Sequence, residues 1–416
     1  MSGNTETPEW NSAKHIKELH MASRIDQSDS DEARDKATPS EQDPAASVAL
    51  PSSTYTSAPP ASTQPVSPTA SVQSGASASL SYTSVCTDPR LTAARRKLFM
   101  SKVRRLPLPH HLGQLPEGFR ELVRDMRGFE VGWKIISSSE VGKEVVETGT
   151  SLPIEHILDE SGERALHGRD PNIQTMKRLV QRTARNAQSF ASDASWNCFV
   201  NGPVLTEALR GSRFSDKLIC DDITDCTISQ EFFHEDANPI PTKLNFLCIA
   251  LELGRQCKRA LYLAEIETLN HTDYLGLVYS PIAISIQARA DGETSTEDTL
   301  QLQTWVSAQR RFLRAELQKS GRSATPLPPL PLVVVQGSRW WTYYFVENPN
   351  PAVDKDHTLY TGEFFGDTST LRGIFSLVAG LQRLIVWAEE QYRPWFMQNI
   401  VEPRFPSLVS TSVPTD

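Results

Sequence analysis

Apolar positions along this chain follow two periods, and the change from one to the other marks its elements. Leu115–Met126 and Asn172–Ala187 repeat apolar side chains at helical spacing, with Pro116 and Pro171 placed as start signals. Phe190–Leu209 predicts another helix, capped by Ser192 or Asp193, with Trp196, Phe199 and Val200 on one face and Pro203 bending or restarting it. Leu218–Ile228 is rich in aspartate and reads as a weak strand or turn. Lys243–Leu253 (KLNFLCIALEL) is short, apolar and bulky, as a buried strand is. Ile282–Arg289 alternates Ile284 and Ile286 with Ser285 and Gln287, the period of a second strand. Thr296–Lys319 predicts a long helix ended by Gly321 and a loop holding Pro326, Pro328, Pro329 and Pro331. Leu332–Gln336 and Trp340–Val346 predict a hairpin about Gly337-Ser338, and Thr370–Tyr392 a closing amphipathic helix. Helices and strands in this order fit an α/β sandwich with one mixed sheet, and no internal repeat is visible.

Composition adds a tail to this picture. Pro44–Thr87 contains no charged residue and is dominated by Ser, Thr, Pro and Ala, too little apolar bulk to offset the entropy of ordering. Residues 1–90 are therefore expected to be a disordered tail, 91–400 a folded domain, and 401–416 a second disordered tail. Within the first, Trp10–Met21 has the spacing of a short amphipathic leader suited to a protein partner. The net charge is −8, and residues 1–90 carry 11 acidic against 6 basic side chains, so the folded part is near neutral. That excludes a broadly basic surface but not a local basic groove. Arg95, Arg96 and Lys97, then Lys102, Arg104 and Arg105, read as a solvated helix face at a domain edge, in preference to a bipartite nuclear-import signal.

No apolar run approaches the roughly 20 residues that cross a bilayer, and MSGNTETPEW lacks the regions of a secretory signal. The six cysteines show no Cys-x-x-Cys spacing, which points to buried thiols in a reducing compartment and away from zinc. The expectation is an intracellular protein of the nucleus or cytoplasm, with no membrane partner.

The most specific stretch is Pro281–Trp305, where an apolar strand runs into Gln287-x-Arg289, an acidic turn, and a helix carrying Gln301-x-x-x-Trp305. Together with SDASWN, KLNF and LPLVVVQGSRW, in this order between Phe190 and Val346, it resembles the fungal branch of the PD-(D/E)XK nuclease-like superfamily. The resemblance implies a restriction-endonuclease-like α-β-β-β-α-β core over about 190–346, a central mixed sheet flanked by helices, and extra helices at both ends. It also implies a metal centre built from an aspartate on the second core strand and a Glu-x-Lys on the third. Carried over, the acidic residue before Trp196-Asn197 is Asp193, the second-strand aspartate is Asn245, the Glu-x-Lys pair is Gln287 and Arg289, and the helix glutamine is Gln301.

The altered residues keep shape and lose chemistry. Mg²⁺ takes anionic oxygens, and Asn245 and Gln287 offer only neutral carbonyls. Without a metal, the bound water keeps its high pKa and the phosphoryl oxygen stays unpolarised. Arg289 keeps a cation for a phosphate but stays protonated, so it cannot serve as a base. The expectation is a catalytically impaired nuclease homologue that binds nucleic-acid phosphate, DNA or RNA, with no cofactor. Arg289, with Arg310 and Arg311 on the following helix, would contact the backbone, though a solvated face is the default for such a run. One alternative is an active Mg²⁺-dependent nuclease whose metal is held by Asp193 and Asp291. Here Asp291-Gly292 reads more simply as a turn. The other is a non-enzymatic interaction module working through the tail. Trp340, Trp341, Tyr343 and Tyr344 read as hairpin packing ahead of base stacking.

Overall fold

Val103–Pro107 (β1), Leu218–Asp222 (β2), Phe246–Leu251 (β3), Ile282–Arg289 (β4), Leu330–Gln336 (β5), Arg339–Glu347 (β6) and His357–Asp367 (β7) form one sheet in the order β1-β7-β6-β5-β4-β3-β2. This is a computed structural model, and it describes residues 103–115, 117–148, 151–224, 226–233, 245–290, 296–347 and 357–405. The expectations for residues 1–90, the Trp10–Met21 leader, Arg95 to Lys102 and the segment after Phe405 lie outside these residues, as does that for Asp291.

The sheet is mixed: β2, β3 and β4 are antiparallel neighbours, β4 and β5 run parallel, and β5, β6 and β7 are antiparallel. β1 closes the far edge parallel to β7. The parallel β4–β5 pair needs a crossover, which Thr296–Lys319 supplies as a 24-residue helix. β3, β4 and β5 read as nearly unbroken apolar runs because all three are covered on both faces. Pro331 lies inside β5. It has no N–H to give, and β4 pairs with β5 only from Leu332 onward, so no bond on that side is lost.

Eight helices of the described residues are labelled here: Glu117–Glu130 (α1), Ser139–Glu147 (α2), Ile173–Gln188 (α3), Asp193–Trp196 (α4), Gly202–Gly211 (α5), Arg255–Leu263 (α6), Thr296–Lys319 (α7) and Leu371–Trp387 (α8). A π-helical turn, Asn197–Asn201, joins α4 to α5, so Pro203 enters at the start of α5 without breaking the run. The restriction-endonuclease-like core is then α4–α5, β2, β3, β4, α7, β5, with α1 to α3 before it and α8 after it.

Every residue of α8 from Gly373 to Trp387 is buried. The sequence predicted no stretch of membrane-spanning length, yet Leu371–Val401 passes that test by length and composition. With 89% of its apolar window buried inside the fold, it is the central core helix. A second correction concerns Arg104 and Arg105, expected on a helix face. They lie on β1, exposed at the sheet edge, where charged side chains discourage further strand pairing. Of the cysteines expected to be buried, Cys226 and Cys248 are, whereas Cys198 is exposed; all five within the described residues are free thiols.

Candidate functional site

The ends of β3 and β4 bring the motif residues together, but on two sides of the sheet. Phe246 stands opposite Gln287 in the antiparallel register, and the Ala288 N–H donates to the Asn245 carbonyl at 3.0 Å. Residues directly opposite share a face and neighbours along a strand alternate. Gln287 and Arg289 therefore project to one side, while Asn245 projects to the other beside Ala288.

The first side is covered by α7. Trp305 is fully buried, stacks on Phe246 with ring centroids 4.8 Å apart, and donates its indole N–H to Ser285 Oγ at 2.8 Å. This fixes the helix on the strand one turn beyond Gln301. Gln287, 2% exposed, donates through Nε2 to the Asp298 main-chain oxygen at 3.0 Å. Arg289 spreads its guanidinium over three partners: Nε to Asp298 Oδ1 at 2.8 Å, Nη1 to Asp193 Oδ2 at 3.3 Å, and Nη2 to Gln301 Oε1 at 2.5 Å. Asp193 also accepts the Ala290 N–H at 2.5 Å. It is held there because Ser192 caps α4, its side chain accepting from the Ser195 N–H. Arg289 thus ties α4, β4 and α7 at one point, and its single positive charge faces two carboxylates.

The other side holds a chain of buried amides. Asn201 Nδ2 donates to Asn197 Oδ1 at 3.0 Å, and Asn197 Nδ2 to Asn245 Oδ1 at 2.7 Å. The π-helical turn is what aims Asn197 and Asn201 at one another's side and at the strand, a local geometry frequent where a helix serves a site. Thr224 Oγ1 lies 3.3 Å from Asn245 Oδ1 and donates at 2.5 Å to Asp222 Oδ1, the carboxylate nearest this chain in the hydrogen-bond network. The β4 residues sharing the Asn245 side, Ile286 and Ala288, are apolar.

Of the predicted residues, the fold brings Asp193, Gln287, Arg289 and Gln301 together. It puts Asn245 behind them and carries Arg310 and Arg311 away. The latter stand nine and ten residues beyond Gln301, about 14 Å along the helix axis. Arg310 pairs with Glu347 at 3.0 Å, as does Arg314, and Arg311 Nη1 donates to the Phe232 carbonyl at 2.7 Å. Trp340 and Tyr344 are fully buried. Asp298 was not foreseen. Its only signal is position, the third residue of a helix, where a carboxylate suits the positive end of the helix dipole.

An antiparallel trio of strands, a crossover helix and a parallel fourth strand, with a helix ahead of them reaching the strand ends, define the restriction-endonuclease-like class of α/β nuclease folds. The chain belongs to the PD-(D/E)XK nuclease superfamily: the family model so described matches residues 150–393, more than half of its length. No curated protein and no solved structure matches the chain.

The family implies a divalent cation, and the described residues do not fit one. Asn245 and Gln287 are neutral and on opposite sides of the sheet, so even acids at both positions would not share an ion. Asp193 and Asp298 are already opposed by Arg289. Among the described residues no group of three or more His, Cys, Asp and Glu side chains is arranged to hold a metal.

Proposed function

We propose that this member of the PD-(D/E)XK superfamily contacts nucleic acid without hydrolysing it. The observation that carries this reading is the guanidinium of Arg289 set between Asp193 and Asp298, where a nuclease would present carboxylates to a metal. Hydrolysis of a phosphodiester needs an activated water and a means of stabilising the developing charge. Among the described residues of the α7 cluster the cation is the Arg289 guanidinium, which is paired with two carboxylates and cannot take a proton from water. On the amide side, Asn197, Asn201 and Asn245 are neutral and buried. The fold itself persists because its core packs independently of the chemistry, and this fold is compatible with nucleic-acid binding. Since three of the Arg289 donors and its charge are taken up inside the protein, phosphate contacts call on cations outside the cluster.

The test is incubation of the purified chain with single- and double-stranded DNA and RNA in Mg²⁺ or Mn²⁺. No cleavage is expected, from the native protein or from Asn245→Asp/Gln287→Glu, whose new acids would face opposite ways. Binding that weakens with salt is expected. Metal-dependent cleavage abolished by Asp193→Ala would overturn the proposal.

A further inference from the structure

α3 carries cations outside the Arg289 cluster. Its sequence, IQTMKRLVQRTARNAQ, holds Lys177, Arg178, Arg182 and Arg185 and no acidic residue, against a remainder of the folded region that is net acidic. Lys177 is paired with Glu144 at 2.6 Å. Arg178 and Arg185 are exposed, seven residues and about 10 Å apart along the axis, and take part in no ion pair of the described residues. Complementing the helix dipole explains a cation in the last turn, as Arg185 is, but not Arg178 and Arg182 further back. The guanidinium of Arg182 lies over the ring of Phe199 at 4.0 Å, and Phe199 is 45% exposed on the π-helical turn.

The end of α3 is more telling. Its last turn closes with the Phe190 N–H donating to the Ala187 carbonyl and the Ala191 N–H to the Asn186 carbonyl, the bonding of a left-handed helix stop. The residue that must take positive φ in such a stop is usually glycine. Here it is Phe190, at φ 49, with 95% of its surface exposed. A bulky side chain is held in a backbone conformation that disfavours it and shown to solvent, where it stabilises nothing in the fold. Strain of this kind at an exposed aromatic points to a residue placed for contact. Phe190 lies three residues before Asp193, on the turn that leads from α3 into α4 and the Arg289 cluster.

We propose that the exposed side of α3 and the Phe190 turn form a surface for single-stranded nucleic acid, Arg178 and Arg185 on phosphates and Phe190 as a platform on which a base stacks. The inference rests on the nucleic-acid reading above. Cations tracking a backbone beside a flat ring are what a single strand needs, because every base has a stacking face. A duplex hides those faces, and an acidic peptide has none.

The test uses the full-length chain and fluorescein-labelled single-stranded DNA and RNA oligonucleotides, their duplexes, and anionic phospholipid vesicles, across a salt series. Single strands should bind better than duplexes. Arg178→Gln/Arg185→Gln should reduce the slope of log affinity against log salt by about 1.4, two phosphate contacts' worth for single strands. Phe190→Gly should weaken binding about tenfold without lowering the melting temperature, since glycine is at ease at this φ. That pairing of results separates a contact residue from a structural one. If the native chain binds oligonucleotides and these variants bind with unchanged affinity and slope, the surface is wrong while the nucleic-acid reading stands. Equal affinity for duplexes, or capture by vesicles without oligonucleotide binding, also overturns it. A native chain that binds no nucleic acid removes the reading on which the surface rests.

Discussion

Arg289 is the residue on which this site turns. A guanidinium held by two carboxylates and an amide oxygen does, as a fixed part of the chain, the charge-balancing that a bound ion does elsewhere. Removing it leaves Asp193 and Asp298 facing one another without a counter-charge. The Arg289 side chain is 25% exposed and that of Asp193 36%, so solvent screens part of the repulsion, and Arg289→Ala should cost about 1–3 kcal/mol. The expected signature is in the ions: Mg²⁺ or Ca²⁺ should raise the melting temperature of Arg289→Ala and leave that of the native chain unchanged. A variant indifferent to divalent ions would show that the two acids do not converge. At this scale the sequence was legible in residue type but not in direction. Gln287 and Arg289 could be assigned to one face from alternation alone. That Asn245 lies behind them depends on the β3–β4 register, which is set by a pairing between segments some forty residues apart.

Among the elements, the regular ones announced themselves and the compromised ones did not. The helices at 117–130, 173–188, 296–319 and 371–387 carry an apolar stripe or an apolar body with clear stops, and β3, β4, β5 and β6 are bulky and apolar. β1 is five residues with two arginines, and β7 is interrupted by Gly362 and Gly366; neither has the alternation by which a strand is read. α2 and α6 are nine residues each and rich in charged side chains, too short for their period to stand out. A Cβ on Gly362 would run into the Thr342 carbonyl of β6, while Gly366 has a packing reason shared with α8. A Cβ on Gly366 would meet the Leu377 backbone nitrogen at 2.5 Å, and one on Gly380 would meet the Phe365 ring at 2.3 Å. Helix and strand approach so closely that neither can carry a side chain at these points. Gly380→Ala gains about 1 kcal/mol of helix propensity but pushes on a fully buried ring, costing about 1–3 kcal/mol. Net destabilisation in urea denaturation is expected; a more stable variant would mean that α8 can slide on the sheet.

For the molecule as a whole, acidity is a point of weakness. His271 is fully buried against Trp305, with ring centroids 4.3 Å apart, and burial pushes its pKa from near 6.5 down to about 3. Below pH 6.5 the unfolded chain takes a proton here that the folded chain refuses. Stability is therefore whole above that pH and falls as pH drops toward 3, by about 1.4 kcal/mol per pH unit for this residue. His167, pushed down to about 4 by burial and by Arg383, Arg164 and Arg213 nearby, adds a slope of the same sign. Chemical denaturation from pH 7 to pH 4 should show the decline, and His271→Leu should flatten it by about one proton's share. An unchanged slope would mean that the ring is protonated in the folded state.

β1, the first strand described, lies beside β7, the last. Thr361 donates its hydroxyl to the Leu106 carbonyl across 255 residues of chain, with α8 following β7 to fill the core. Neither the sheet edge nor the central helix can therefore be finished until the chain beyond β7 is available. Contacts so distant in sequence are slow to form, and until they do, a helix apolar enough to enter a bilayer has nowhere to bury itself. Loss of residues 371–387 would leave the nuclease-like core intact in sequence but without the buried helix that fills its centre, so the sheet that carries Arg289 depends on chain far from it in sequence.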